Sequence, residues 1–184
     1  MYYEMTIQGH IRVPPNLFQL ELKESVKKTL DGMYEGFISK EMGIVVAVTD
    51  VTEIGDGLLI PEDGAAYYET KYKLITYKPD MFEIVPGKVT DIQEFGAFME
   101  IGPIDGMIHV SQTMDDYVSF SKSNVLTGKE SKRVLKVGDK CRARIVAVSF
   151  KDPSNPKIAL TMRQQMLGAE HWIDEEIKKK AEKN

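Results

Sequence analysis

The chain has 184 residues, of which 42% are hydrophobic and 28% charged, a balance that folds rather than stays disordered. No apolar run approaches the ~18–20 residues of a membrane span, and Met1-Tyr2-Tyr3-Glu4 has no basic stretch leading into an apolar one, so neither a membrane anchor nor a secretory signal is expected. A single cysteine, Cys141, excludes an intrachain disulfide, and with His10, His109 and His171 far apart the expectation is a soluble, cytoplasmic protein with no metal and no cofactor.

Net charge is −4, and it is unevenly spread. Residues 1–80 hold 8 Lys/Arg against 13 Asp/Glu, and residues 81–120 hold 1 against 7. Residues 121–165 reverse the balance with 11 against 3. A local basic region supplies a phosphate-attracting field that the chain average hides; a merely lysine-rich solvated surface is the competing explanation.

The first element is a strand. Tyr3, Met5, Ile7, Gly9, Ile11 and Val13 alternate with Glu4, Thr6, Gln8, His10 and Arg12. Pro14-Pro15 stops it, and Asn16 with Gln19 three residues later suggests a capping box opening a helix. That helix carries Leu22, Val26, Leu30, Met33 and Phe37 on one stripe, and Gly43 ends the region. Ile44 to Val51 is β-branched and strand-like. A turn-rich stretch follows, with Gly55-Asp56-Gly57, a short Leu58-Leu59-Ile60 and Pro61-Glu62-Asp63-Gly64, before a strand from Tyr67 to Tyr77. The order β-α-β-β-β predicts an α+β domain over residues 1–80.

From residue 81 the texture changes to short strands spaced by Gly and Pro, as in a small β-barrel. Candidate strands are 84–92, 96–101, 106–110, 140–149 and 157–163, five in number as in an OB fold. Between the third and fourth, Gln112 to Gly138 holds Asp115-Asp116, the polar Ser119–Ser123 and the basic Lys129–Lys136, and its length implies structure or function of its own. His171-Trp172-Ile173 to Lys180 reads as a C-terminal helix. Its tryptophan and the chain's ten methionines suit a shared interface or simple core packing.

Alternation along 95–101 sends Ala97, Met99 and Ile101 inward and turns Phe98 and Glu100 outward, with Phe95 in the turn before them. An outward aromatic on a barrel strand is a base-stacking candidate; packing under the long segment is the alternative. His109 points outward with Ser111, while Lys140, Arg142 and Arg144 share one strand face opposite Cys141, Ala143 and Ile145. Three cations in a row make a phosphate-sized stripe, to which Lys157 adds on the last strand. There is no Walker, Gly-x-Gly-x-x-Gly or His-Glu-x-x-His pattern, and Asp115-Asp116 reads as a solvent-facing turn, so no enzyme activity is expected.

Gly87-Lys88-Val89-Thr90-Asp91-Ile92, Phe95-Gly96-Ala97-Phe98, Gly106-Met107-Ile108-His109-Val110-Ser111, Val137-Gly138-Asp139 and Ile158-Ala159-Leu160-Thr161 together resemble the S1 RNA-binding domain. The resemblance implies an RNA-binding face that falls on Phe95, Phe98 and His109, with a basic residue at Lys157; the family's acidic residue falls near Ser149, where this chain departs. Tyr2-Tyr3, Gly55-Asp56-Gly57, Pro61-Glu62-Asp63-Gly64-Ala65 and Val85-Pro86-Gly87-Lys88-Val89 extend the likeness to the family of E-prime subunits of archaeal RNA polymerase, counterparts of the seventh subunit of eukaryotic RNA polymerase II. That resemblance implies a truncated RNP-like domain at 1–80, an S1 domain at 81–184, and a heterodimer with the smaller, helical F subunit, forming a polymerase stalk that binds nascent single-stranded RNA. It also implies docking on the polymerase core through tip loops that fall on Gly55, Asp56, Gly57, Pro61, Glu62, Asp63 and Gly64. A free-standing S1 protein of translation or RNA decay, and a processing enzyme with an S1 appendage, are the competing readings.

Overall fold

A computed structural model describes residues 1–121, 124–152 and 156–181, and it divides into two compact units, Met1–Lys78 and Pro79–Asn184. In the first unit, β1 (Tyr2–Val13) leads through a 3-10 turn at Pro15–Leu17 to α1 (Leu22–Tyr34), then β2 (Ile38–Ser39), β3 (Gly43–Leu59) and β4 (Ala66–Tyr77). The sheet order is β1-β4-β3-β2, all antiparallel, with Tyr2 opposite Tyr77 and Val13 opposite Ala66. Inward residues of β1, β3 and β4 meet Val26 and Leu30 of α1 in one core with Ile11, Val13, Val48 and Leu74. Tyr34 and Tyr72 close its edge through their hydroxyls, 2.6 Å apart.

Several expectations for this unit fail. The helix does not start at Asn16. Pro14-Pro15 sets an extended residue and then a single 3-10 turn, closed by Leu17 N and Phe18 N on Pro14 O and Pro15 O at 3.1 and 3.2 Å. The α-helix begins six residues later, with Ser25 Oγ reaching back to Leu17 O at 2.7 Å. Its stripe is also narrower than five residues: Val26 and Leu30 are buried, whereas Leu22, Met33 and Phe37 are exposed. The helix stops at Tyr34, well before Gly43, because Gly36 takes φ +70.

Gly55-Asp56-Gly57 is not a turn. It lies inside the 17-residue β3, at the last of four register shifts against β4. Each shift inserts an extra residue and adds twist, so the strand curls instead of breaking. At Gly57 a Cβ would come within 2.7 Å of the Tyr68 ring, so the absence of a side chain lets that ring lie across the strand. The reversal comes later, at residues 60–65, where Asp63 N reaches Ile60 O.

The second unit is a closed barrel. Its strands are β5 (Ile84–Gln93), β6 (Gly96–Glu100), β7 (Asp105–His109), β11 (Lys140–Ser149) and β12 (Lys157–Thr161), joined in the circuit β5-β6-β7-β12-β11-β5. Only β7 and β12 run parallel, the arrangement of an OB fold. β12 ends at Thr161 rather than 163, although Met162 is still buried. Between β7 and β11 the long segment folds on itself as β8 (Val118–Ser121), β9 (Val125–Gly128) and β10 (Val134–Lys136), an antiparallel sheet of its own. The Ser119–Ser123 run reaches residues 122–123, which lie outside the described residues.

β13 (Gly168–Ala169) pairs with β11 and leads into α2 (Glu170–Ala181). Trp172 belongs to the barrel core, not to an outer face, and a Cβ on Gly168 would press on its ring at 2.6 Å. Arg133 lies over that ring at 5.6 Å and pairs with Glu176, which ties the helix to the β8–β10 sheet. Cys141 is buried in the same core, and burial pushes its thiol up to about 12, far from nucleophilic use.

Candidate nucleic-acid interface

The outer face of β6 and β7 is built by alternation. Ala97, Met99 and Ile108 go inward and are fully buried, which turns Phe98 and His109 outward. Gly96 faces His109 across the ladder, and a Cβ at Gly96 would collide with Ile108 O, so these two strands approach closely only with glycine there. Phe95 in the preceding turn is 45% exposed, and its ring stands edge-on to the half-buried Phe98 at 6.0 Å. Val110 N donates to Phe95 O at 2.9 Å, fixing the turn beside the end of β7. His109 Nδ1 lies 2.8 Å from Ser111 Oγ, so one ring nitrogen is engaged and the ring is held in orientation. Phe95, Phe98 and His109 therefore come together on one exposed surface. Phe98 packs edge-on against a neighbouring aromatic there and keeps part of its ring in solvent.

The cations fall elsewhere on the barrel. Lys140, Arg142 and Arg144 lie on β11 opposite Lys88, Pro86 and Ile84 of β5, and β11 borders neither β6 nor β7. Lys140 and Arg142 are exposed, but Arg144 is half-buried and its Nε is enclosed without a hydrogen-bond partner. Lys157 stands just before the Ile158–Gly106 pair, level with Asp105, at the far end of β7 from His109. Beside the aromatic face Asp91 stands opposite Phe98, Glu100 stands opposite Asp105, and Glu94 precedes Phe95 in the turn, while Lys88, opposite Glu100, is the one Lys or Arg in residues 84–109. Sequence reasoning read the three β11 cations as one phosphate stripe; the half-burial of Arg144 shortens it to two exposed cations.

The tip of the first unit is shaped by its own side chains. Asp63 accepts from Arg12 Nε at 3.0 Å and Nη2 at 2.5 Å, and from the Tyr67 hydroxyl at 2.5 Å. Hydrogen bonding to Arg12 and Tyr67 holds its carboxyl down at about 2. Glu62 and Gly64 both take left-handed backbone, with φ +76 and +69, so the turn is shaped by its own chain. Around it Leu58, Leu59, Ile60 and Phe18 are exposed. Three apolar residues in a row between Gly57 and Pro61 were the available signal for that surface.

The Asp115-Asp116 pair has distinct structural roles. Asp115 pairs with Arg163 at 2.8 Å. Asp116 accepts from the amides of Tyr117, Glu130 and Ser131 and from Ser131 Oγ, and these bonds lower its pKa. Among the described residues no cluster of His, Cys, Asp and Glu could hold a metal ion, and no helix is long and apolar enough to cross a membrane.

Two family models match this architecture: the "SHS2 domain found in N terminus of Rpb7p/Rpc25p" over residues 8–64 and the "S1 RNA binding domain" over residues 79–152. The chain is thus an SHS2–S1 protein, an α+β domain followed by an RNA-binding-type barrel. DNA-directed RNA polymerase subunit Rpo7 of Saccharolobus shibatae is 38% identical over 175 residues, 94% of this chain and 97% of that one. DNA-directed RNA polymerase II subunit 7 of Arabidopsis thaliana is 27% identical, over 79% of this chain and 82% of its own. Among solved structures, the apo form of Mycoplasma genitalium RNase R matches 44% of this chain and 13% of that chain at 28% identity and a TM-score of 0.38. The chain belongs to the Rpo7 family of DNA-directed RNA polymerase subunits. It is a non-catalytic subunit of a polymerase, which sets aside the free-standing S1 protein and the processing enzyme.

Proposed function

We propose that this protein is a stalk component that pairs with the helical F subunit, docks on the polymerase core through the tip of its SHS2 domain, and binds nascent single-stranded RNA on the β6–β7 face of its S1 barrel. The observation that carries the RNA reading is the Phe95–Phe98 pair, 6.0 Å between centroids and open to solvent beside His109. Flat π-faces on a barrel accept any base, which suits a transcript of arbitrary sequence. Lys140 and Arg142 act mainly through the field they add, because β5 or β12 stands between β11 and the aromatic face, and Lys157 does so from the far end of β7. The acidic residues beside that face keep affinity modest. Docking is supported by Leu58, Leu59, Ile60 and Phe18, an apolar patch around a turn that Arg12, Asp63 and Tyr67 hold in shape.

The test is a salt titration of single-stranded RNA affinity on the full chain. Phe98→Ala should lower affinity at every salt concentration and leave the log–log slope intact. Lys140→Ala with Arg142→Ala should weaken binding most at low salt and flatten the slope, by less than the ~0.7 that each direct phosphate contact contributes. If both variants bind as the unmodified chain does, the RNA site is not on this barrel face.

A further inference from the structure

The β8–β10 insertion carries an aromatic–cation pair that the barrel face does not explain. Tyr117 is 77% exposed, and Lys129 Nζ lies 5.2 Å from the centre of its ring. The loop beneath is held in place. Tyr117 N donates to Asp116 Oδ1 at 2.5 Å, Lys129 N donates to Tyr117 O at 2.9 Å, and the same Asp116 carboxylate holds the amides of Glu130 and Ser131. At Gly128 a Cβ would collide with that carboxylate, so the hairpin closes over it only with glycine there.

This pair is continuous with the aromatic face. A shallow cleft of about 210 Å³ is lined by Val110, Ser111, Asp116, Tyr117 and Val118. Ser111 is the residue that holds His109, and Val110 is the one bonded to Phe95. Phe98, Phe95, His109, Ser111 and Tyr117 thus follow one another along a single track. Charge gives the track a direction. The Glu100–Asp105 end repels phosphate, whereas residues 112–138 hold five Lys/Arg against three Asp/Glu. Among these charges Asp115 is paired with Arg163, Asp116 is engaged by the loop's own amides, and Arg133 is paired with Glu176. Single exposed hydrophobic residues are common and mean little; an exposed aromatic on a backbone pinned by hydrogen bonds, with a cation over its ring, at the basic end of a stacking track, is a different object.

Resting on the reading of the β6–β7 face as RNA-binding, we infer that the insertion is a second single-stranded RNA subsite, in which a base stacks on Tyr117 and Lys129 meets the adjoining phosphate. The strand leaves the Phe95–Phe98–His109 face across Ser111 and is caught by the insertion. Preorganisation by Asp116 lowers the ordering cost of capture.

The experiment measures binding of the full chain to labelled oligouridylates of about 4 and about 12 nucleotides, the range of single OB-fold sites. Tyr117→Ala should weaken the long oligonucleotide roughly tenfold or more and leave the short one unchanged, while Tyr117→Phe keeps the stack and binds as the unmodified chain does. Lys129→Gln should lower the salt slope for the long oligonucleotide by about 0.7. Because the Tyr117 ring is exposed, thermal melting should not change. Normal binding by Tyr117→Ala beside weakened binding by Phe98→Ala overturns this inference and spares the barrel face. Equal loss at both lengths also overturns it, since Tyr117 would then belong to the first site. Normal binding by Phe98→Ala overturns the face reading, and the continuous track with it.

Discussion

Phe98 shows how much one side chain can be asked to do here. It stands on the outer row of β6 between inward Ala97 and Met99, with Phe95 edge-on beside it. Its ring is not part of the barrel core and offers a stacking surface, so Phe98→Ala should cost about 1–3 kcal/mol of RNA affinity, with only the smaller loss of stability that follows from its edge-on contact with Phe95. Isothermal titration alongside a thermal melt separates the two. Asp63 is the opposite case, a residue whose visible work is internal. Its folded carboxyl sits at about 2, below its ordinary value, so its bonds to Arg12 and Tyr67 contribute fully at neutral pH. That contribution should fade as pH falls from about 4 through the folded value of about 2. In Asp63→Asn this acid-dependent part should be missing, which parallel melts at neutral and low pH would reveal; identical acid sensitivity would remove Asp63 from that role.

At the scale of elements, α1 depends on few contacts. Val26 and Leu30 are its wholly buried apolar side chains, and both meet the sheet. Leu30→Ala should destabilise the first unit by about 2–5 kcal/mol, a loss that chemical denaturation can measure. Met33→Ala, on the exposed side, should change little. The insertion depends on a polar clamp instead. Asp116→Ala removes the acceptor for three backbone amides, and amide hydrogen exchange should then quicken at Tyr117, Glu130 and Ser131 while β5–β7 stays protected. Uniform protection in the variant would show that the β8–β10 ladder holds the loop without Asp116.

For the whole molecule, the proposed stalk role requires a partner. Obligate pairs bury on the order of 2,000 Å² or more, and exposed Met33, Phe37 and Val46 on the first unit offer apolar area for such a contact. The chain should co-elute with the large polymerase subunits from native extract, and Leu58→Asp with Leu59→Asp should release it from them. Co-elution unaffected by the tip variants would move core docking to another surface.

Much of this protein could be read from residue order alone. Strict alternation in 3–13, 96–101 and 140–145 placed β1, β6 and β11 with the correct faces inward, because a strand's side chains reverse at every residue whatever surrounds it. The same local rule turned Phe98 and His109 outward together. What lay beyond it were features set by partners distant in sequence. Gly55-Asp56-Gly57 looks like a turn by composition, yet the β4 ladder carries β3 through it and converts the glycines into a bulge. Lys140, Arg142 and Arg144 look alike on paper, but pairing with Thr161 and Ile84 leaves Arg144 half-buried. Asp116 gains its role only when Glu130 and Ser131 fold back onto it, 14 and 15 residues away. Local periodicity is a property of the backbone and is written in the sequence; which strand lies alongside, and which side chain it covers, is decided only when the barrel closes.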